Sequence, residues 1–245
     1  MHYGVNMITL VGVGHVFRLE KAIKKIIFEQ RPDAICLELD EERLTGLLSK
    51  SRATSAGITY KTLGDFQSRI ADKYGTTVGS EMLAAYDASR SLNVPVYCID
   101  MKASEFFERA LKSMSLREKA SLFFGSITAR FAARRKIEEE LARFEENDDL
   151  YIKEFEKKFP RLKHVLIDER NEHMASALRD LSTKHANIVA LVGDGHVEGI
   201  FRLLSGLQVR AIRLKELREL EEKLEASEGT GNSQVSFSFI YSCIM

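Results

Sequence analysis

A chain of 245 residues is long enough for one large hydrophobic core, and 44% hydrophobic with 29% charged residues is the make-up of a water-soluble globular fold. Lys plus Arg and Asp plus Glu each number 36, so the formal net charge is zero and no overall field draws the chain to nucleic acid or an anionic membrane. No signal-peptide pattern opens the sequence and no run nears the roughly 18 apolar residues of a spanning helix, so it reads as cytoplasmic.

The first β-rich run is Met7–Val13, and it closes in Gly12-Val13-Gly14-His15. Phe17 stands where a dinucleotide fingerprint needs its third glycine, and no Gly-Lys-Ser/Thr follows, so no nucleotide is expected. These glycines suit a sharp turn and close backbone approach instead. A helix over Phe17–Gln30 stops at Arg31-Pro32-Asp33, and the second run, Ala34–Leu39, completes a βαβ unit.

Alternation places Glu38 and Asp40 on one side of that second run, opposite Leu37 and Leu39. Asp40 has a local role as N-cap of the helix Glu41–Ser49, with Arg43 in pairing range. Glu38 has none. A carboxylate within an apolar strand is costly unless paired or used. Neighbouring strands lie about 4.8 Å apart, so Glu38 reaches His15 if their strands adjoin.

A helix over Thr77–Leu92 carries Glu81 on the same stripe as Val78, Met82, Ala85, Ser89 and Leu92. Its structural alternative is a first-turn acid favouring the helix dipole. The third run, Val94–Ile99, ends at Asp100, whose structural alternative is a cap for the helix starting near Ser104. Cys36 and Cys98 sit in strand runs and, with Cys243, make an odd set without metal-type spacing. They read as buried thiols of a reducing compartment.

Residues 104–186 hold one proline, Pro160, and long charged helices, which reads as a helical insertion between core strands. Ser115-Leu-Arg-Glu118 has the capping-box pattern, and Arg130–Lys136 and Glu138–Glu140 read as solvated charge runs. In the helix Arg161–Lys184 the stripe runs Leu162, Val165, Leu166, Met174, Ala177, Leu178 and Leu181. Arg170 and His173 fill its gap. A guanidinium on a core-facing stripe needs a fixed anion, either protein or ligand.

The fourth run, Ile188–Gly193, opens a second copy of the first motif. Leu191 to Val197 matches Leu10 to Val16 at six of seven positions, again with a non-glycine residue, Glu198, at the fingerprint position. Val209–Leu214 is the fifth run; Lys215–Ala226 is a charged helix, and Ser227 onward reads as a flexible tail with an apolar tip. Strand and helix patterns thus alternate, which implies an α/β fold with a mostly parallel central sheet covered by helices. Residues 1–214 form the domain and 215–245 the helix and tail. Both Gly-x-Gly-His copies end strands where open α/β sheets bind ligands, so both are expected at one polar crevice.

In this order the residues resemble the TraB/PrgY (pheromone-shutdown) family. The resemblance rests on Gly12-Val-Gly-His15, Pro32-Asp33, Glu38-Leu-Asp40 with Arg43, Gly79-Ser-Glu81-Met82, Asp100, Glu169-Arg170 with Met174-Ala175, and Val192 through Gly199. It implies a sheet fold shared with Tiki-type metalloproteases, erythromycin esterases and ChaN-like proteins, with the paired motifs framing one site. Those groups include both metal-dependent proteases and metal-independent hydrolases.

Two classes of function fit these residues. One is a hydrolase of peptide-like bonds. In its metal version His15 and His196 hold one divalent ion with a carboxylate, Glu81 or Glu38 is the general base, and Arg170 faces the oxyanion. In its metal-free version His15, oriented by Glu38, activates water and Arg170 places the substrate. The other class is a protein that captures a peptide without cleaving it, Arg170 gripping a carboxylate. Asp40, Arg43, Asp100 and His173 would line the substrate in either case. A weaker third option is peripheral membrane or homo-oligomer contact through the 104–186 helices or the tail.

Overall fold

The computed structural model describes residues 6–14, 17–52, 79–115, 157 and 159–241. His15, Val78, Arg130–Lys136, Glu138–Glu140, most of the capping box and Cys243 lie outside the described residues.

Five strands make one all-parallel sheet, β1 (Met7–Val13), β2 (Ala34–Leu37), β3 (Val96–Cys98), β4 (Asn187–Gly193) and β5 (Gln208–Ile212), in the order β3-β2-β4-β1-β5. Central β1 and β4 are covered on both faces, which is why their sequences run almost continuously apolar instead of alternating. Helices α1 (Glu20–Gln30) and α3 (Ser80–Leu92) cover one face, with Ile23, Ile27, Met82 and Ala85 on Val11, Leu37 and Leu191. Helices α6 (Glu169–Ser182) and α7 (Asp194–Leu203) cover the other, with Met174, Leu178, Val197 and Ile200 on Leu10, Ala190 and Val192. Of the stretch read as an insertion, α6 is therefore a layer of the core.

The connections turn at a single place. From β1 and β2 the chain moves toward one edge, and from β3 and β4 toward the other, so adjacent β1 and β4 leave the sheet in opposite directions. That is the topological switch point of an open α/β sheet, where a crevice forms beyond the strand ends.

The repeated motif serves both departures through a one-residue slip. Val11 pairs with Leu191 and Gly12 with Val192, so motif-equivalent residues sit one step apart in register. A one-residue step exchanges the faces. Leu10 accordingly packs under α6 and α7, while its counterpart Leu191 packs under α1 and α3. One seven-residue pattern thus sends α1 to one side of the sheet and α7 to the other.

At the opposite end of the strands, Asp33 ties β2 to β4. Its carboxylate accepts the backbone N–H of Ala186 at 2.8 Å and of Asn187 at 3.1 Å, and Arg31 closes α1 with φ 46°. The Pro32-Asp33 pair is therefore an anchor for the sheet, remote from the crevice. Helix α1 carries no side-chain cap of its own; buried Glu221 of α8 (Leu214–Tyr241) accepts the N–H of Ala22 at 2.6 Å. This cap docks the charged helix that the sequence predicts. The helix then continues to Tyr241, through residues whose composition predicts a frayed tail. Propensity penalties of under about 1 kcal/mol per residue do not by themselves stop a helix already nucleated.

Helices α2 (Glu41–Arg52) and α4 (Ala103–Ser113) begin at the crevice edge. Phe106 and Ala110 of α4 and Met114 just after it form a small separate cluster with Phe159, Leu162 and Val165, the last two from α5 (Pro160–Lys163) and the π turn His164–Asp168. Among the described residues, no helix is long and apolar enough to cross a membrane.

The π turn corrects the reading of Arg161–Lys184 as one regular helix. Its additional residue shifts the helical phase. His173, placed by regular spacing on the core-facing stripe, is exposed, and Asn171 is the buried polar residue instead.

The one position at which the two motif copies differ has a structural use. Val13 is replaced by Asp194, which holds Arg213 through both carboxylate oxygens (2.7 to 3.1 Å) and accepts the N–H of Leu214 at 2.8 Å. A Cβ on Gly12 would lie 2.1 Å from Asp194 Oδ1. Gly12→Ala is expected to lose about 1–3 kcal/mol in urea denaturation. Gly46→Ala, in open space on exposed α2, is expected to lose nothing and to gain up to about 1 kcal/mol.

Candidate active site at the switch point

Glu38 follows β2 directly and is 5% exposed. Its backbone N–H bonds the Leu191 carbonyl at 3.0 Å, which continues the β2–β4 pairing by one step. Its carboxylate turns into the crevice. Oε2 accepts the Gly193 N–H at 2.5 Å and Oε1 accepts Nη2 of Arg170. A Cβ on Gly193 would stand 3.3 Å from Oε2, so this glycine lets the β4 backbone come close to the acid.

Arg170 sits at the hub, and every guanidinium N–H has a partner. Nε and Nη2 bind Asp100 as a fork at 3.0 and 2.8 Å, Nη2 also donates to Glu38, and Nη1 donates to the Leu166 carbonyl at 3.2 Å and to His196 Nε2 at 3.0 Å. The Phe106 ring covers the group, 4.9 Å from the guanidinium carbon. Burial works against its charge, but the hydrogen bonds to Asp100 and the fields of Glu38 and Asp100 outweigh it and push the pKa above an arginine's ordinary value. The expected protein anion is thus present, and in this arrangement no N–H of Arg170 remains for a substrate oxygen.

His196 lies in the first turn of α7, 8% exposed. Its Nδ1 faces Asn171 Oδ1 at 2.7 Å and its Nε2 faces the Arg170 donor. Those partners assign the tautomer: Nδ1 carries the proton and Nε2 accepts. Asn171 needs room beside α7, where a Cβ on Gly199 would fall 2.2 Å from its Nδ2. Asn171 and Gly199 form a support that the sequence reading did not assign. Its signals are a small residue three places after the motif histidine and the place of Asn171 three and seven residues before Met174 and Leu178.

Asp40 caps two helices. Oδ1 accepts the Arg43 N–H at 2.8 Å, as expected of an N-cap on α2, and Oδ2 accepts the N–H of Ala103 at the start of α4 at 3.0 Å. Asp100, the alternative cap for α4, instead pairs with both arginines, its second oxygen also receiving Arg43 Nη2 at 2.5 Å, while its first accepts the N–H of Met101 at 2.8 Å. Arg43 bridges the two acids through Nε and Nη2, is 31% exposed, and donates Nη1 to no group among the described residues. Burial raises the Asp40 pKa, but the N–H bonds from Arg43 and Ala103 and the Arg43 charge bring it below the ordinary carboxylate value. With the folded pKa depressed, the stabilisation is complete above the unfolded value of about 3.9 and is lost as pH falls through the lower folded value. The deficit of Asp40→Ala in urea melts, about 0.5–2 kcal/mol near neutrality, is therefore expected to shrink below about pH 4.

Glu81 is 1% exposed in the first turn of α3, behind Gly79 at φ 87°. As the crossover helix before β3, α3 starts at the strand-end edge that carries the crevice. Glu38, Asp40, Arg43, Asp100, Arg170 and His196 converge in one network; His173 points to solvent. The surroundings of Cys36 and Cys98 favour the protonated thiol. Burial raises Cys36, and burial followed by the charge of Glu41 pushes Cys98 up to about 12. Among the described residues no group of three or more His, Cys, Asp or Glu side chains is arranged to hold a metal ion.

Fold and site together define a doubly wound α/β protein with an arginine-centred acid–histidine crevice. The chain belongs to the TraB/PrgY/gumN family, whose sequence pattern it matches over residues 2–216. It is 30% identical over 220 residues to the uncharacterized protein MJ1365 of Methanocaldococcus jannaschii, covering 84% of this chain and 55% of that one. The chain thus spans about half the length of this curated relative. Among solved structures it is similar to ChaN of Campylobacter jejuni, described with cofacial heme binding, at a TM-score of 0.36 and 13% identity over 84% of this chain and 80% of that one.

Proposed function

We propose that the crevice hydrolyses peptide-like bonds, with Glu38 as the group that takes the proton of the attacking water. The observation that carries this reading is Glu38 itself. It is a buried carboxylate with no capping duty, held at the switch point by donors from two other elements, β4 and α6.

In this reading Glu38 accepts one water proton as the water oxygen bonds to the carbonyl carbon. The carbonyl oxygen gains the negative charge, and Arg43 meets it, because its Nη1 is uncommitted among the described residues and it is the more exposed of the two guanidiniums. Collapse breaks the carbon–nitrogen bond, and the proton passes from Glu38 to the leaving nitrogen. Arg170 and His196 do not touch the substrate; they fix the direction of the Glu38 carboxylate.

Mass spectrometry of a mixed peptide pool incubated with wild type and with Glu38→Gln tests this. Cleavage products from wild type alone are expected. Peptide bound in stoichiometric amount and recovered intact would favour capture over hydrolysis.

A further inference from the structure

We propose that Arg170 is the resident cation of this crevice, seated where Glu38 and His196 would otherwise share a divalent ion. Oε1 of Glu38 and Nε2 of His196 are 3.5 Å apart. Two ligand bonds of about 2.1 Å meeting at a tetrahedral angle span roughly 3.4 Å, so this pair has the spacing of two ligands on one metal. The imidazole has the matching tautomer. Asn171 Oδ1 accepts a hydrogen bond from Nδ1–H, which leaves the Nε2 lone pair facing the crevice, as an acceptor behind a metal-bound histidine does.

That lone pair is occupied by protein. Nη1 of Arg170 donates to Nε2 at 3.0 Å, Nη2 donates to Glu38 Oε1, and the same Nη2 holds Asp100 at 2.8 Å. A metal ion in this place would need the acceptors that the guanidinium uses, and its charge would face a second cation at contact distance. Guanidinium and ion are therefore alternative occupants of one site. The charge balance agrees: Glu38, Asp40 and Asp100 are three carboxylates against the two cations Arg43 and Arg170, so taking Arg170 away leaves three acids and one cation. Carboxylate and imidazole donors suit a borderline divalent ion such as Zn²⁺ or Co²⁺. The metal version of the hydrolase does not fit this half of the site while Arg170 is in place.

This inference stands whether the crevice cleaves its ligand or only holds it, so the test reads metal and not turnover. Wild type, His196→Ala, Arg170→Ala and the Arg170→Ala/His196→Ala double variant are stripped, exposed to Co²⁺ and dialysed. Bound cobalt, visible absorption and the shift of Tm with added Co²⁺ are then measured. Wild type and His196→Ala are expected to show the same cobalt content and no difference in Tm shift. Arg170→Ala is expected to gain a single equivalent, with a visible band and a rise in Tm, and to lose all three when His196 is also removed. Cobalt held in stoichiometric amount by wild type and lost in His196→Ala would overturn the proposal, as would a folded Arg170→Ala that gains none. Should Arg170→Ala fail to fold, the wild-type and His196→Ala pair decides alone: equal content supports the proposal and a His196-dependent ion overturns it.

Discussion

Arg170→Ala is expected to lose about 3–5 kcal/mol of stability in urea denaturation, the largest effect of any single crevice substitution. The magnitude follows from what remains behind. Asp100, with a fully buried side chain, would lose both members of its fork, and Glu38 would lose the donor Arg170 Nη2. Breaking a buried pair leaves an uncompensated charge, whereas removing both partners can be nearly neutral. Arg43 keeps one bond to Asp100, which limits the loss but cannot reach the roles of five N–H groups. Arg170→Lys should recover part of the stability through its charge, but not the fork to Asp100 together with the contact to His196. Equal stability of Arg170→Ala and wild type would mean that the network is not a buried ion pair.

Glu38→Gln is expected to lower peptide hydrolysis about 10²–10⁴-fold, the usual range for removing a general base. The amide keeps the size of the acid and one acceptor oxygen for Arg170 or the Gly193 N–H, so the fold is expected to survive. Thermal melts separate the two effects. A variant that folds and is inactive supports a chemical role, while full activity in a folded Glu38→Gln would remove Glu38 from the mechanism. Asn171→Leu is the companion experiment for positioning. It withdraws the acceptor that fixes the His196 tautomer, so the pH profile of hydrolysis should shift as well as its rate.

Much of this crevice was legible because charge in an apolar setting is costly. Glu38 after an apolar strand and Arg170 on an apolar helix stripe each called for a partner, and they partner each other. The central strands were legible for a related reason, since cover on both faces makes β1 and β4 read as unbroken apolar runs. The outer strand β3 is only three residues long, and its predicted ends at Val94 and Ile99 overran it accordingly.

Other features left no such mark. A π turn changes helical phase without any residue type of its own, so spacing counted forward from Leu166 put His173 on the buried face, whereas counted back from Met174 and Leu178, Asn171 falls there. Asp40 and Asp100 looked alike as helix caps, and only the path of Arg43 separates the double cap from the ion pair. The repeated motif is expected to bring both copies to one polar crevice, and β1 and β4 do lie side by side, while His15 is outside the described residues. What the repeat did not reveal is the register: pairing Val11 with Leu191 sets the equivalent residues Leu10 and Leu191 on opposite faces of the sheet, in contact with different helices.

The central claim is that a water molecule, activated at Glu38, ends up in the product. Hydrolysis by metal-stripped wild type in heavy-oxygen water measures it directly. One labelled oxygen is expected in each newly formed carboxyl group, with none above background for Glu38→Gln. Peptide recovered intact and unlabelled from wild type, or equal labelling from both proteins, would contradict the account.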